Sequence, residues 1–105
     1  MENKQKILNM IGLAQKAGKV VSGEFSTEKA VKGRKAYMVI VADDSSDNTK
    51  KMFSNMCTYY KVPMHFFGDK ISVGHAMGKE FRASLAILDE GFANTIEKYF
   101  EQGLE

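Results

Sequence analysis

The chain has one cysteine, one proline, a formal net charge of only +2 and no long apolar run. Each scarcity excludes something. Cys57 alone cannot close an internal disulfide. No stretch approaches the ~18 apolar residues of a membrane span, and no secretory h-region opens the sequence. The expectation is a soluble, cytoplasmic protein with no membrane partner. The near balance of charge provides no global field for polyanions, so any nucleic-acid function must rest on local clusters of Lys and Arg. Two such clusters are present, one from Lys29 to Lys35 and one from Lys79 to Arg82. Linkers, internal repeats and low-complexity segments are also lacking. The length falls within the ~100–150 residues usual for one domain, so residues 1–105 read as a single domain around one core.

What is there is an alternation of helical and strand patterns. Ile7, Ile11 and Ala14 recur at helical spacing from Asn3 to Ala17, and Gly18 is placed to stop that helix. Val20-Val21 reads as a short strand, and Glu24 to Lys32 as a short helix ended by Gly33. The run Ala36 to Ala42 lacks polar alternation, as expected of a strand covered on both faces, and is expected at the centre of the sheet. Ser45 or Ser46 caps the next helix, whose Phe53, Met56, Cys57 and Tyr60 form one apolar stripe before Pro63. Met64 to Phe67 is a strand, and Asp69 caps a short helix to Met77 that Gly78 closes. Ala83 to Leu88 is a strand, and Phe92, Ile96, Tyr99 and Phe100 make the last helix amphipathic. The order predicts an α/β fold, a three-layer α/β/α sandwich around a mixed four-stranded sheet.

Apparent catalytic motifs dissolve on inspection. Gly12 with Gly18-Lys19 imitates a P-loop, but the gap is one residue too long and Val20 replaces the magnesium-holding Ser or Thr. Gly74 with Gly78-Lys79 is one residue short, so both sets read as turns and helix stops. His65 in a strand and His75 in a helix, with only Cys57 as a soft ligand, fall short of a zinc set, and no metal or cofactor is expected. Cys57 on an apolar helix face reads as a small hydrophobe rather than a nucleophile. Asp43-Asp44 could hold a cation at the carboxyl edge of the sheet, yet such residues are ordinary helix caps, the preferred reading.

The stretch from Lys19 to Ser46 points elsewhere. Gly23 opens a helix whose first backbone N–H groups lack intrahelical partners and favour an anion, with Lys29 and Lys32 one turn deeper. A phosphate is the natural guest, which suggests a nucleic-acid surface.

Five segments carry a resemblance that spans nearly the whole chain in order: Ile11 to Glu24, Val39 to Thr49, Cys57 to Pro63, Gly74 to Glu80 and Asp89 to Ala93. Together they resemble the YlxQ group of bacterial proteins, within the ribosomal protein L7Ae/L30e superfamily. The resemblance implies the α/β/α sandwich, no enzymatic activity, and recognition of kink-turn RNA, a sharply bent internal loop with tandem sheared G·A pairs. Members of the group are usually encoded beside transcription and translation factors, which implies a cytoplasmic role around ribosomes or RNA.

In the superfamily the second helix opens with Gly, any residue, Asn, Glu, two more and Lys. The Asn and Glu read the sheared pairs and the Lys meets phosphate. Gly23 and Lys29 match that pattern, Glu24 takes the free position, and Phe25 and Ser26 stand where Asn and Glu are expected. Phe25 cannot make an amide's hydrogen bonds but can stack on an unpaired base, and Ser26 can donate to phosphate or base. A second superfamily contact, the loop before the last strand, maps to Gly78 to Ala83, where Phe81 offers a stacking face and Lys79 and Arg82 offer charge. The set Gly23, Glu24, Phe25, Ser26, Lys29, Lys32, Lys79, Phe81 and Arg82 therefore suits structured RNA held by shape and phosphate better than a strict reader of kink-turn bases. Taken singly, Phe25 and Phe81 read more readily as core or staple residues, and the lysine run as a solvated face. The expectation is a non-catalytic monomeric RNA-binding protein. The alternative is an adaptor that docks on a translation or transcription factor, with a small hydrolase or transferase a distant third.

Overall fold

A computed structural model describes residues 2–104. The elements follow the expected order: α1 (Asn3–Lys16), β1 (Val20–Ser22), α2 (Glu24–Lys32), β2 (Met38–Val41), α3 (Asp47–Tyr60), β3 (Met64–Phe66), α4 (Lys70–Ala76), β4 (Ser84–Ile87) and α5 (Glu90–Glu101). The sheet runs β1-β4-β2-β3, with β2 parallel to β3 and β4 antiparallel to both its neighbours. The sheet is mixed and four-stranded, as expected. β2 lies inside the sheet, as expected, and shares the centre with β4. β2 is also shorter than the apolar run that encodes it, although Tyr37 N–H donates to the Ile87 carbonyl and Ala42 N–H to the Ala83 carbonyl beyond its two ends.

The uninterrupted apolar character of β2 is explained by helices on both faces. Met38, Val39, Ile40 and Val41 are all buried, and alternate residues of a strand point to opposite sides. Met38 and Ile40 join Ile7, Ile11, Phe67, Leu85 and Ile96 in the core under α1, α4 and α5. Val39 and Val41 join Val31, Phe53, Cys57 and Ala86 under α2 and α3. Each fully buried side chain of the size of Phe53 or Phe67 stabilises by about 1.5–3 kcal/mol.

Local chemistry sets the helix ends. Ser46, rather than Ser45, caps α3: its Oγ accepts from Thr49 N–H at 3.1 Å. Lys61 takes the left-handed conformation (φ 60°) that ends α3 before Pro63. Asp69 and Asp89 cap α4 and α5 in the same manner as Ser46. Asp44 is a cap as well, but of a distant helix: its carboxylate accepts from Lys70 N–H at 2.9 Å, the first residue of α4. Gly12 has a packing role, because a Cβ there would lie 3.0 Å from the Ala76 carbonyl oxygen where α1 crosses the end of α4.

Candidate nucleic-acid interface

One end of the sheet gathers the C-terminal ends of β1 and β2 and the N-terminal end of the antiparallel β4. Both sequence-predicted turns lie there. Gly23 follows β1 with φ 93° and ψ 158°, a conformation essentially closed to residues with a Cβ. Its N–H donates to the Ser84 carbonyl at 2.9 Å, tying the turn to β4. The α2 N-terminus has no side-chain cap, whereas Ser46, Asp69 and Asp89 occupy those of α3, α4 and α5. Glu24 stands in its first turn, where its charge suits the helix dipole but opposes an incoming anion.

The second turn is built differently. After α4, Gly78 (φ 75°) turns the chain back, and the loop lies directly on α4 at Gly74. A Cβ on Gly74 would fall 2.5 Å from the Phe81 Cα, so only glycine admits the loop at this distance. Arg82 N–H donates to the Lys70 carbonyl, and Ala83 is held by Ala42 N–H and Ser45 Oγ through its carbonyl.

Arg82 joins the two turns. Its Nε donates to Ser22 Oγ at 3.0 Å, beside Gly23, and one terminal nitrogen donates to the Phe81 carbonyl at 2.8 Å. Behind this junction, Ser84 Oγ donates to Thr27 Oγ1 at 3.3 Å within the core, fixing α2 to β4. Arg82 is half-buried, and two of its donors are engaged at the junction. Lys79 is exposed.

Both aromatic rings lie outside the core. Phe25 is 77% exposed and Phe81 57% exposed, so neither is the core or staple residue that its type suggests in isolation. Phe25, Lys29 and Lys32 border one shallow depression on α2, as their i, i+4, i+7 spacing requires. Ser26 is half-buried on the flank toward β1, beside Phe25 and Lys29. The two lysines differ. Lys32 Nζ donates to Glu28 Oε2 at 2.6 Å, and that carboxylate, through its hydrogen bond and charge, holds the ammonium pKa above its ordinary value. No such partner is present for Lys29 among the described residues.

The other reactive side chains lie elsewhere. Cys57 is buried, and desolvation pushes its thiol up to about 11. His65 Nε2 lies 2.8 Å from Glu97 Oε1, and its ring stacks on Phe100 with centroids 3.9 Å apart. His75 is exposed and borders the groove between α1 and α4. Among the described residues no group of three or more His, Cys, Asp or Glu side chains could hold a metal ion, and no helix is long and apolar enough to cross a membrane.

Sequence reasoning missed two parts of this arrangement. Gly74 was legible only as half of a failed P-loop, and the bracing role of Arg82 depends on Ser22, sixty residues away. A glycine inside a helical pattern was the available signal for the first. The second left none.

Comparison with known proteins agrees with the architecture. Residues 5–97 match the model described as the ribosomal protein L7Ae/L30e/S12e/Gadd45 family. The chain is 40% identical over 87 residues to the RNA-binding protein YlxQ of Bacillus subtilis, covering 83% of this chain and 87% of that one. It is 38% identical over 93 residues to the large ribosomal subunit protein eL30 of Neurospora crassa, covering 83% and 82% of the two chains. A solved structure from Bacillus halodurans C, of a protein with unknown function, superposes with a TM-score of 0.89 at 30% identity over 91% of this chain and 97% of that one.

Proposed function

The chain belongs to the ribosomal protein L7Ae/L30e/S12e/Gadd45 family, and on that premise we propose that it is a non-catalytic protein that binds structured, kink-turn-like RNA. In this reading residues 1–105 form one RNA-binding domain that acts as a cytoplasmic monomer around the ribosome or a translation or transcription factor. The observation that carries the reading is the junction of the Gly23 and Gly78–Arg82 turns through Arg82 and Ser22, flanked by exposed Phe25 and Phe81 and by Lys29 and Lys79. Two aromatic faces beside free cations suit unpaired bases joined by phosphates. The names of the Bacillus subtilis and Neurospora crassa relatives, an RNA-binding protein and a ribosomal protein, support its RNA-binding part.

The chemistry is divided among the residues. Lys79 and Lys29 meet phosphates, Arg82 braces the two turns and offers its remaining donors, and Phe25 and Phe81 stack on bases that the bent RNA exposes. Ser26 and the uncapped N–H groups after Gly23 supply short donors to phosphate or base. With Phe25 and Ser26 in place of an amide and a carboxylate, recognition rests on shape, stacking and phosphate contacts. The buried Cys57 thiol, pushed up to about 11 by desolvation, supports a non-catalytic role.

Filter-binding or calorimetric titration of a kink-turn hairpin and a plain duplex across a salt series tests the proposal. The hairpin should bind more tightly, with affinity falling steeply as salt rises. Equal, weak and salt-insensitive signals for both RNAs would overturn it in favour of the protein adaptor.

A further inference from the structure

A groove of about 430 Å³ runs along the flank of α2 toward the end of β4, on the side away from Lys32. Val21, Ala30 and Leu88 line its apolar part, Phe25 and Lys29 stand at one end, and Lys35 joins them after the Gly33 turn. We infer that this groove is a second nucleotide subsite, which takes one or two unpaired nucleotides of a single-stranded RNA tract continuous with the structured element. The inference rests on the RNA-binding reading above and extends it beyond the junction of the two turns.

Four observations favour that occupant. The groove shares Phe25, Ser26 and Lys29 with the proposed RNA surface, so it adjoins that surface at the start of α2. The ionisable residues that line it are both lysines, Lys29 and Lys35, and the nearby carboxylate of Glu28 belongs to the opposite flank, where it is engaged with Lys32. An apolar lining with an aromatic wall and two cations at its rim matches the pattern by which single strands are held: bases against carbon, phosphates against ammonium groups. The volume lies at the small end of ligand pockets, enough for one or two bases and too little for a duplex. The Leu88 backbone is fixed by its N–H, which donates to the Lys19 carbonyl at 2.8 Å.

The test compares a blunt kink-turn hairpin with the same hairpin carrying four unpaired adenines on its 5′ or its 3′ end, and with the four-adenine oligonucleotide alone. One extension, not both, should tighten binding by about tenfold. Lys35→Gln, at an exposed position, should remove that gain and change the affinity for the blunt hairpin far less. Leu88→Gln should do the same, with a thermal melt to verify its fold. Equal affinity for blunt and extended hairpins would overturn the inference, as would a gain that survives both substitutions. If the blunt hairpin fails to bind while the oligonucleotide binds in a Lys35-dependent way, the groove stands and the structured-RNA reading falls. If neither RNA binds, both fall. Preference of the groove for an acidic peptide over the oligonucleotide would also overturn it.

Discussion

The two turns that meet at the end of the sheet are held by opposite means. The Gly23 turn is a local device: a backbone conformation that only glycine adopts readily, with open space where a Cβ would be. The Gly78–Arg82 turn is a tertiary device, pressed against Gly74 with no room for a methyl group and braced by Arg82 against Ser22. The same rim of the sheet therefore combines one turn whose shape its own glycine permits, with a backbone tie to Ser84, and another whose form depends on a helix packed against it. Strain in the first stays in its own dihedrals, whereas strain in the second spreads to α4 and to Phe81.

Gly74→Ala should separate the two most strongly. The added methyl would have to displace backbone rather than a flexible side chain, so a loss of about 3 kcal/mol is expected, enough to lower Tm by more than 10 °C and to weaken RNA binding through Phe81. A melt and a hairpin titration measure both. Gly23→Ala should cost less, about 1–2 kcal/mol, from backbone strain alone. If Gly23→Ala proved the worse of the two, the contrast between the turns would be wrong.

The exposed rings come next. Phe25→Ala and Phe81→Ala should each weaken hairpin binding by about 1–3 kcal/mol with the salt slope nearly constant, and leave Tm almost unmoved because neither ring is in the core. A drop in Tm without loss of affinity would show that the ring packs rather than stacks.

A smaller difference distinguishes two lysines on one helix face. Lys29→Ala should reduce the slope of log affinity against log salt by about 0.7–0.9, the value of one phosphate contact. Lys32→Ala should change it less, since Glu28 already holds that charge. Equal slopes for the two variants would show that the Glu28 pair opens when RNA arrives.

The smallest effect lies in acid. The Asp69 carboxylate is held below its ordinary range, first by the backbone N–H of Ser72 at 2.7 Å and then by the Ser72 hydroxyl at 3.0 Å. Because its pKa is lower folded than unfolded, its support of α4 is present above the unfolded carboxylate value and is lost as pH falls through the folded one. Amide exchange at Ser72 and Val73 should accelerate below the ordinary carboxylate range, and Asp69→Asn should flatten that acid dependence.

Much of the architecture was legible because it is written in short-range patterns. Ile7, Ile11 and Ala14 announce α1 by spacing, Ser46 and Asp69 mark helix starts by their own oxygens, and the apolar run in β2 signals helices on both sides. The order of strands was not legible: that β4 shares the centre of the sheet with β2 depends on pairing between segments more than forty residues apart in sequence. Asp44 shows the same limit at the scale of one residue. Its chemistry as a cap was readable, but its partner, Lys70, was not.

The sequence by itself determined the element order, the two faces of the core and the glycine-opened, lysine-bearing start of α2, since each follows from residues within a turn or two of one another. Only the tertiary structure decided that Phe25 and Phe81 stay outside, that Arg82 donates to Ser22, and that Gly74 receives a loop. A side chain's exposure and its partners depend on what the rest of the chain brings beside it. Spacing within a segment cannot encode a neighbour that arrives from sixty residues away.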